Sequence, residues 1–338
     1  GITALVYGVI EGDGAGWGSP EILGVLGLAA ASLLLFVAIE YRAATPMVPL
    51  HFFRQRDFNG GVAILFLVFF ALLGVMFFLS QFFQFVQGKS AFTAGLYMLP
   101  LAVALMVTAP LAGRMISVVG PRGLVLLSMG LSAGVLLFFT QMEIDSAYWP
   151  IGIALFFFGM GGGLMTPAVT DTIMASVPLH QAGRASGVST TGRQIGGAVG
   201  IAVLGAVAAT SYASGVSGSL AGVLPPDLVA EVGDGIGAAA VIARGADPGL
   251  AAVIEGAAFP AFVEAIRVVF WIGASFMALA GLAALLIPAR MRSVQMGSTP
   301  SSEPASAVTA STVHRAAEMG LIRAHPQKVA APAAAAGD

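Results

Sequence analysis

The chain has no cysteine, only four histidines, and charge on just 9% of its 338 residues. Without cysteine it can form no disulfide framework and no thiolate metal site, so outward-facing loops are not stapled. Soluble domains carry charge on about 25% of their residues. A chain this poor in charge, with 57% hydrophobic residues, has more apolar surface than a water-exposed fold can hide. A soluble bundle of buried helices would break into runs of about 11–12 residues with polar stripes, and neither feature is present. A basic n-region ahead of the apolar segment Gly1–Ile10 is also missing, so that segment is not expected to be a cleavable signal peptide. No H-E-x-x-H pair occurs, and His51, His180, His314 and His325 all fall in loops or the tail. No nucleophile and base, and no cluster of metal ligands, are found inside the apolar segments, so neither an enzyme nor a cofactor or metal site is expected. No nucleic-acid partner is expected either.

What the sequence does have is a ladder of long apolar runs. Complete spans are expected at Ile22–Tyr41, Gly60–Gln87, Ala94–Gly113, Gly123–Gln141, Trp149–Ala175, Ser186–Tyr212 and Phe262–Ile287. Each supplies the roughly 20 apolar residues that a ~30 Å hydrocarbon core requires of a helix. Gly1–Ile10 is too short to span and starts without an initiator Met, as a helix would in a chain that begins partway along it. The fold class expected is an all-α polytopic membrane protein, about seven complete transmembrane helices plus a truncated first one, with the lipid bilayer as its solvent.

Orientation follows from the basic residues, which are retained in cytoplasmic loops. The loops 11–21, 88–93, 142–148 and 213–261 together hold two basic residues, Lys89 and Arg244, against ten acids. The alternate set, with the C-terminal tail, holds eleven: Arg42, Arg54, Arg56, Arg114, Arg122, Arg184, Arg290, Arg292, Arg315, Arg323 and Lys328. That set and the C-terminus are expected in the cytoplasm of a multi-pass protein of the plasma (inner) membrane. The segment 213–261 is rich in Gly, Ala, Pro and acids. It is expected as an outward loop, in which Asp227–Val232 and Leu250–Ile254 could form short amphipathic turns at the surface. From Ser298 on, Ser, Thr, Pro and Ala without periodicity cannot bury enough apolar area to order, so 291–338 is expected as a disordered cytoplasmic tail.

Three look-alike motifs carry no chemistry. Gly88-Lys89-Ser90 resembles the end of a phosphate loop, but Phe83 stands where the required first glycine belongs. The glycines at 159, 161, 162 and 163 fit no G-x-G-x-x-G register. Gly130-Leu131-Ser132-Ala133-Gly134 has the letters of a nucleophile elbow, yet lies mid-span where no strand-to-helix turn exists.

Transport is the chemistry that remains, and polar groups inside spans are where to look for it. With Glu40 at the rim set aside, four ionisable residues are interior: Asp171, Arg193, Glu264 and Arg267. Asp171 and Arg193 lie on consecutive helices near the same end and could meet across an antiparallel pair. Such a pair would exchange a proton or rearrange during transport, or would be a static bridge, or Arg193 would snorkel to headgroups. Glu264 and Arg267, one turn apart, read as an interfacial anchor. Gly192, Gly196 and Gly200 repeat at four-residue spacing, and Gly159 and Gly163 do the same in the preceding span, so each gives a smooth face for close helix packing. Pro100, Pro110 and Pro167 sit within spans and can bend them. One aromatic span offers Phe78, Phe82, Gln81 and Gln84 as candidates to line a cavity for a large apolar or cationic ligand. A lipid-facing aromatic belt explains the phenylalanines equally well.

Three segments carry a family resemblance. Leu111-Ala112-Gly113-Arg114 through Gly120-Pro121-Arg122-Gly123 resembles the G-x-x-x-D-R-x-G-x-[RK] loop of the major facilitator superfamily, with Ser117 and Val118 where the motif has Asp and Arg. Gln84–Ser90 leading into Ala94–Pro100, and Gly183–Gly187 leading to Gly192–Gly200, are similar again. Together they look like the C-terminal half of the fourteen-helix drug:proton antiporters of that superfamily. The resemblance implies that residues 1–59 are the extra central helix pair, the first one truncated, and that 60–290 are a six-helix C-terminal bundle. It implies a partner bundle N-terminal to this chain, and export of small amphiphilic substrates against protons by alternating access. It makes Gly113, Arg114, Gly120 and Arg122 a cytoplasmic latch between bundles, although the arginines could equally be simple topology determinants. A carrier for a non-drug metabolite and a non-transporting membrane scaffold share this topology.

Overall fold

A computed structural model of the chain describes residues 1–43 and 46–287. Arg290 and the expected tail 291–338 lie outside the described residues. The described chain is helical: α1 (Ile2–Ala15), α2 (Pro20–Arg42), α3 (Arg56–Gln81), α4 (Ala91–Tyr97), α5 (Leu99–Phe139), α6 (Tyr148–Ala175), α7 (Ala182–Leu220), α8 (Pro226–Gly233), α9 (Ile236–Gly245) and α10 (Pro248–Ala283). Among the described residues, six helical stretches are long and apolar enough to cross a membrane. One of them contains α5, whose backbone leaves helical geometry at Gly120 (φ 79°, ψ 160°), so its 41 residues run as two helices across a sharp bend. Only glycine adopts that φ cheaply, and Pro121 starts the next helix with its φ preset. Counted by direction, the crossings number seven, and the expected spans ending at Gly113 and starting at Gly123 are the two halves of α5.

Helix starts follow local chemistry. Ser19 accepts from the Ile22 amide at 3.3 Å ahead of Pro20, and Ser90 accepts from the Thr93 amide at 3.2 Å. Asp247 accepts from the amides of Gly249 and Leu250 at 2.9 and 3.2 Å, ahead of Pro248. Each cap satisfies amides that would otherwise point unpaired out of the helix end. Inside the spans, the hydroxyls of Thr108, Ser128, Thr172 and Ser189 bond back to carbonyls four residues earlier at 2.7–2.8 Å. These bonds leave none of the four hydroxyls bare in an apolar surround.

The core is centred on α3, which packs against α6, α7 and α10, while α10 also packs against α5. Phe70 of α3 stacks on Phe276 of α10 at 4.1 Å, and Phe139 of α5 meets Phe270 of α10 at 5.4 Å. α1, at 14 residues, is about 21 Å long, too short to span; it packs against α2 and α7.

The segment 213–261, read from composition as a loop with short turns at Asp227–Val232 and Leu250–Ile254, is largely helical, and those two turns fall within α8 and α10. α7 runs 39 residues and α10 runs 36, about 58 and 54 Å, so both continue past the hydrocarbon at the end the loop charges assign to the outside. There α8 and α9 fold over them: the Tyr212 hydroxyl donates to the Val232 carbonyl at 3.2 Å, and Ile236, Ala239 and Ala243 are buried. The composition misleads because Gly and Ala pack as small helix faces here.

Candidate functional site

The glycine stripe of α7 sets the geometry of the α3–α7 contact. Residues four apart lie on one helix face, and Gly192, Gly196 and Gly200 meet Val62, Phe66 and Phe70 of α3 in turn. A Cβ at Gly192 would stand 3.4 Å from Val62, in ordinary contact; at Gly196 it would strike the Phe66 backbone, with Cα at 3.0 Å. On α6, Gly159 faces the backbone of Leu101 and Gly163 that of Leu105, both in the first half of α5, while Gly161 faces Ser128 and Ser132 in the second half. α6 is thereby set against both arms of the bent helix, backbone to backbone.

Arg193 follows the first of those glycines and is half-buried. Its Nη2 donates to the Thr190 hydroxyl at 3.2 Å, and its guanidinium lies 5.9 Å from the Phe69 ring centre, within cation–π range. Asp171 is exposed on α6. The two do not meet: among the described residues the ion pair formed is Glu264–Arg267. The reason is packing. α3 takes α6 on one side, with Gly61 against Ile173 and Val169, and α7 on another through Val62, Phe66 and Phe70. Consecutive helices α6 and α7 therefore share a neighbour rather than a charged seam.

The four candidates for a ligand cavity lie at the end of α3 and in the turn that follows it. Phe78 and Phe82 are 5% and 0% exposed, packed against Phe262 and Phe83. Gln84 folds back onto the Ser80 hydroxyl at 2.9 Å, in a π-helical turn over Phe82–Val86. None of Phe78, Gln81, Phe82 and Gln84 lines the large cavity of the molecule, which has a volume of about 1400 Å³. That cavity lies at the other end of α3, between α2, α3 and α7, among Leu33, Phe36, Asn59, Phe66 and Arg184. Aromatic content marks the core here because phenylalanine is equally apolar whether it faces protein, lipid or a cavity.

The expected latch is the bend of α5. Gly120 is its turn, and Gly113 faces open space. Ser117 donates to the Arg114 carbonyl at 2.7 Å. Arg114 and Arg122 form no ion pair among the described residues, so both charges are available to a surface outside them.

Comparison with known proteins gives a consistent pattern. Residues 12–201 match the family model of the Major Facilitator Superfamily. The chain is 37% identical over 213 residues to the Multidrug resistance protein Stp of Mycobacterium tuberculosis, covering 62% of this chain and 38% of that protein. It is 34% identical over 206 residues to the Tetracenomycin C resistance and export protein of Streptomyces glaucescens, covering 61% and 38%. It is 33% identical over 213 residues to the Methylenomycin A resistance protein of Bacillus subtilis, covering 62% and 46%. The chain thus spans less than half the length of each of these relatives.

Proposed function

The chain belongs to the Major Facilitator Superfamily, and from that membership we propose that it is part of a proton-coupled exporter of small amphiphilic compounds, working by alternating access in the plasma (inner) membrane with its C-terminus in the cytoplasm. Its relatives are named for multidrug resistance and for antibiotic resistance and export. Residues 60–290 are then one rocking bundle, residues 1–59 the accessory helix pair, and a second bundle completes the substrate path.

The observation that carries this reading is Arg193. It is a positive charge inside a span, held by a hydroxyl and a ring but by no carboxylate among the described residues. A charge left without a counter-charge in an apolar bundle is costly unless it serves a pathway. A proton-releasing carboxylate on the partner bundle, or Asp171 in another conformation, would supply the counter-charge during the cycle. The smooth α3–α7 face supports this, since a stripe of glycines lets one helix slide on another with little steric barrier.

The test is to neutralise Arg193 in the complete protein. Arg193→Gln should abolish drug resistance and proton-gradient-dependent efflux while leaving membrane expression near normal, and Arg193→Lys should restore part of the activity. Full resistance in Arg193→Gln would end this assignment.

A further inference from the structure

Beside the glycine stripe, the contact between α3 and α7 has a second row. Gly192, Gly196 and Gly200 meet Val62, Phe66 and Phe70 in turn, so the two helices run in the same direction with a constant register. One position further round α7, Gly197 receives the side chain of Leu73, whose Cγ would lie 3.2 Å from an added Cβ. Arg193 and Phe69 stand one turn earlier on the same faces of their helices, and there the guanidinium carbon lies over the ring, 5.9 Å from its centre. Arg193 and Phe69 are half-buried and Leu73 is exposed. This row is therefore the open edge of the seam, which a partner can reach without parting α3 from α7.

The ring and the Thr190 hydroxyl hold the guanidinium from different sides. In the register of the glycine stripe Arg193 is level with Ala63, so the Phe69 backbone stands six residues further along the span, about 9 Å. Side chains lean towards the start of their helix, which brings the Phe69 ring back to Arg193. Thr190, one turn nearer the start of α7, accepts from Nη2 at 3.2 Å. A hydroxyl takes up an N–H group, whereas a ring face attracts the cation and takes up none. The other donors stay open to a carboxylate. Without the ring, the flexible apolar stem would let the head run towards the headgroups at the start of α7.

We propose that Phe69 is the positioning residue for Arg193. Its ring stands in for a counter-charge and keeps the guanidinium inside the span until a carboxylate pairs with it. This role rests on the reading of Arg193 as the coupling charge, and Phe69 acts only through Arg193.

Replacing Phe69 by 3,4,5-trifluorophenylalanine tests the role, because fluorine withdraws the negative charge from the ring face and nearly keeps its shape. In the complete protein the trifluoro ring, like Phe69→Leu, should slow ethidium efflux driven by a proton gradient by about fivefold or more, with singly and doubly fluorinated rings between. Ethidium affinity should be unchanged, and Phe69→Trp, which keeps a ring face, should retain efflux. Melting temperature reads the contact without transport: trifluorination should lower it in the unmodified protein and not in Arg193→Gln. Equal melting shifts in both backgrounds would overturn the proposal. So would efflux untouched by trifluorination while Arg193→Gln abolishes it, an outcome that leaves the Arg193 reading standing. A loss of efflux matched by an equal loss of ethidium affinity would overturn it too, by making Phe69 part of the substrate wall. Full efflux in Arg193→Gln would end the Arg193 reading and the role of Phe69 together.

Discussion

Gly200 of α7 rests directly on the backbone of Phe70 in α3: a methyl group added at Gly200 would lie 2.7 Å from the Phe70 Cα and closer still to its carbonyl oxygen. Backbone cannot rotate out of the way as a side chain can. Gly200→Ala should therefore force α3 and α7 apart and cost about 1–3 kcal/mol, the usual range for overpacking. Gly205, on the same helix, has nothing within 4 Å, so Gly205→Ala should be neutral or slightly stabilising through helix propensity. Thermal unfolding in detergent distinguishes the two. Equal melting temperatures would show that the α3–α7 contact is looser than its geometry.

A second prediction concerns the middle of α10. Arg267 donates from Nε to the Thr140 carbonyl at 2.9 Å and from Nη1 to Glu264 at 2.5 Å. The two bonds differ in worth. Glu264 is 60% exposed and one turn away on the same helix, a setting where ion pairs contribute about 0–1 kcal/mol. The bond to Thr140 ties α10 to the end of α5, and charged hydrogen bonds of this kind contribute about 1.5–3 kcal/mol before allowance for exposure. Arg267→Ala should lower thermal stability clearly, and Glu264→Gln only slightly. The reverse order would mean that the pair, not the tie to α5, holds this corner.

How far these features could be read in advance depends on what produces them. The crossings were legible because bilayer thickness imposes length and hydropathy on every span. The packing faces of Gly192, Gly196 and Gly200 were legible because a four-residue repeat of the smallest side chain means one face. The partner of that face was not, since spacing says nothing about which helix arrives, and α3 rather than α6 fills the groove. For that reason Asp171 and Arg193, neighbours in order, are apart in space. That Phe78 and Phe82 pack against Phe262 and Phe83 was not legible, because hydropathy does not distinguish core from cavity. The helices at 213–261 were obscured by glycine and alanine, although Asp247-Pro248 is a helix start legible in retrospect.

Topology offers a test with no background, because the chain has no cysteine. Single cysteines at Ser146, Ala221 and Ala182 should react with an impermeant thiol reagent from outside, outside and inside the cell respectively. Ser146 sits between α5 and α6, Ala221 after α7, and Ala182 at the start of α7. α7 therefore places its two ends on opposite sides, and loop charge sets which side is which. Labelling of Ala182 from outside would invert the orientation.

The last prediction separates a latch from a mere charge label at the bend of α5. Arg114 and Arg122 flank Gly120 and make no ion pair among the described residues. Neutralising them removes no salt bridge within this bundle, so Arg114→Gln and Arg122→Gln should change its stability by no more than about 0.5 kcal/mol, as surface substitutions do. Gly120→Ala is the contrasting case: a side chain at φ 79° is strained by about 1–3 kcal/mol, and its melting temperature should fall. If the arginines engage a second bundle when the cytoplasmic side is closed, removing both should shift the complete protein towards the inward-open form. Such a ligand-independent shift changes the rate of proton-coupled efflux more than the affinity for substrate. Spin-label distances across the cytoplasmic face, measured with and without a pH gradient, report that shift directly. Unchanged distances and unchanged efflux in the double variant, with insertion also unchanged, would leave Arg114 and Arg122 no part in closing the cytoplasmic face.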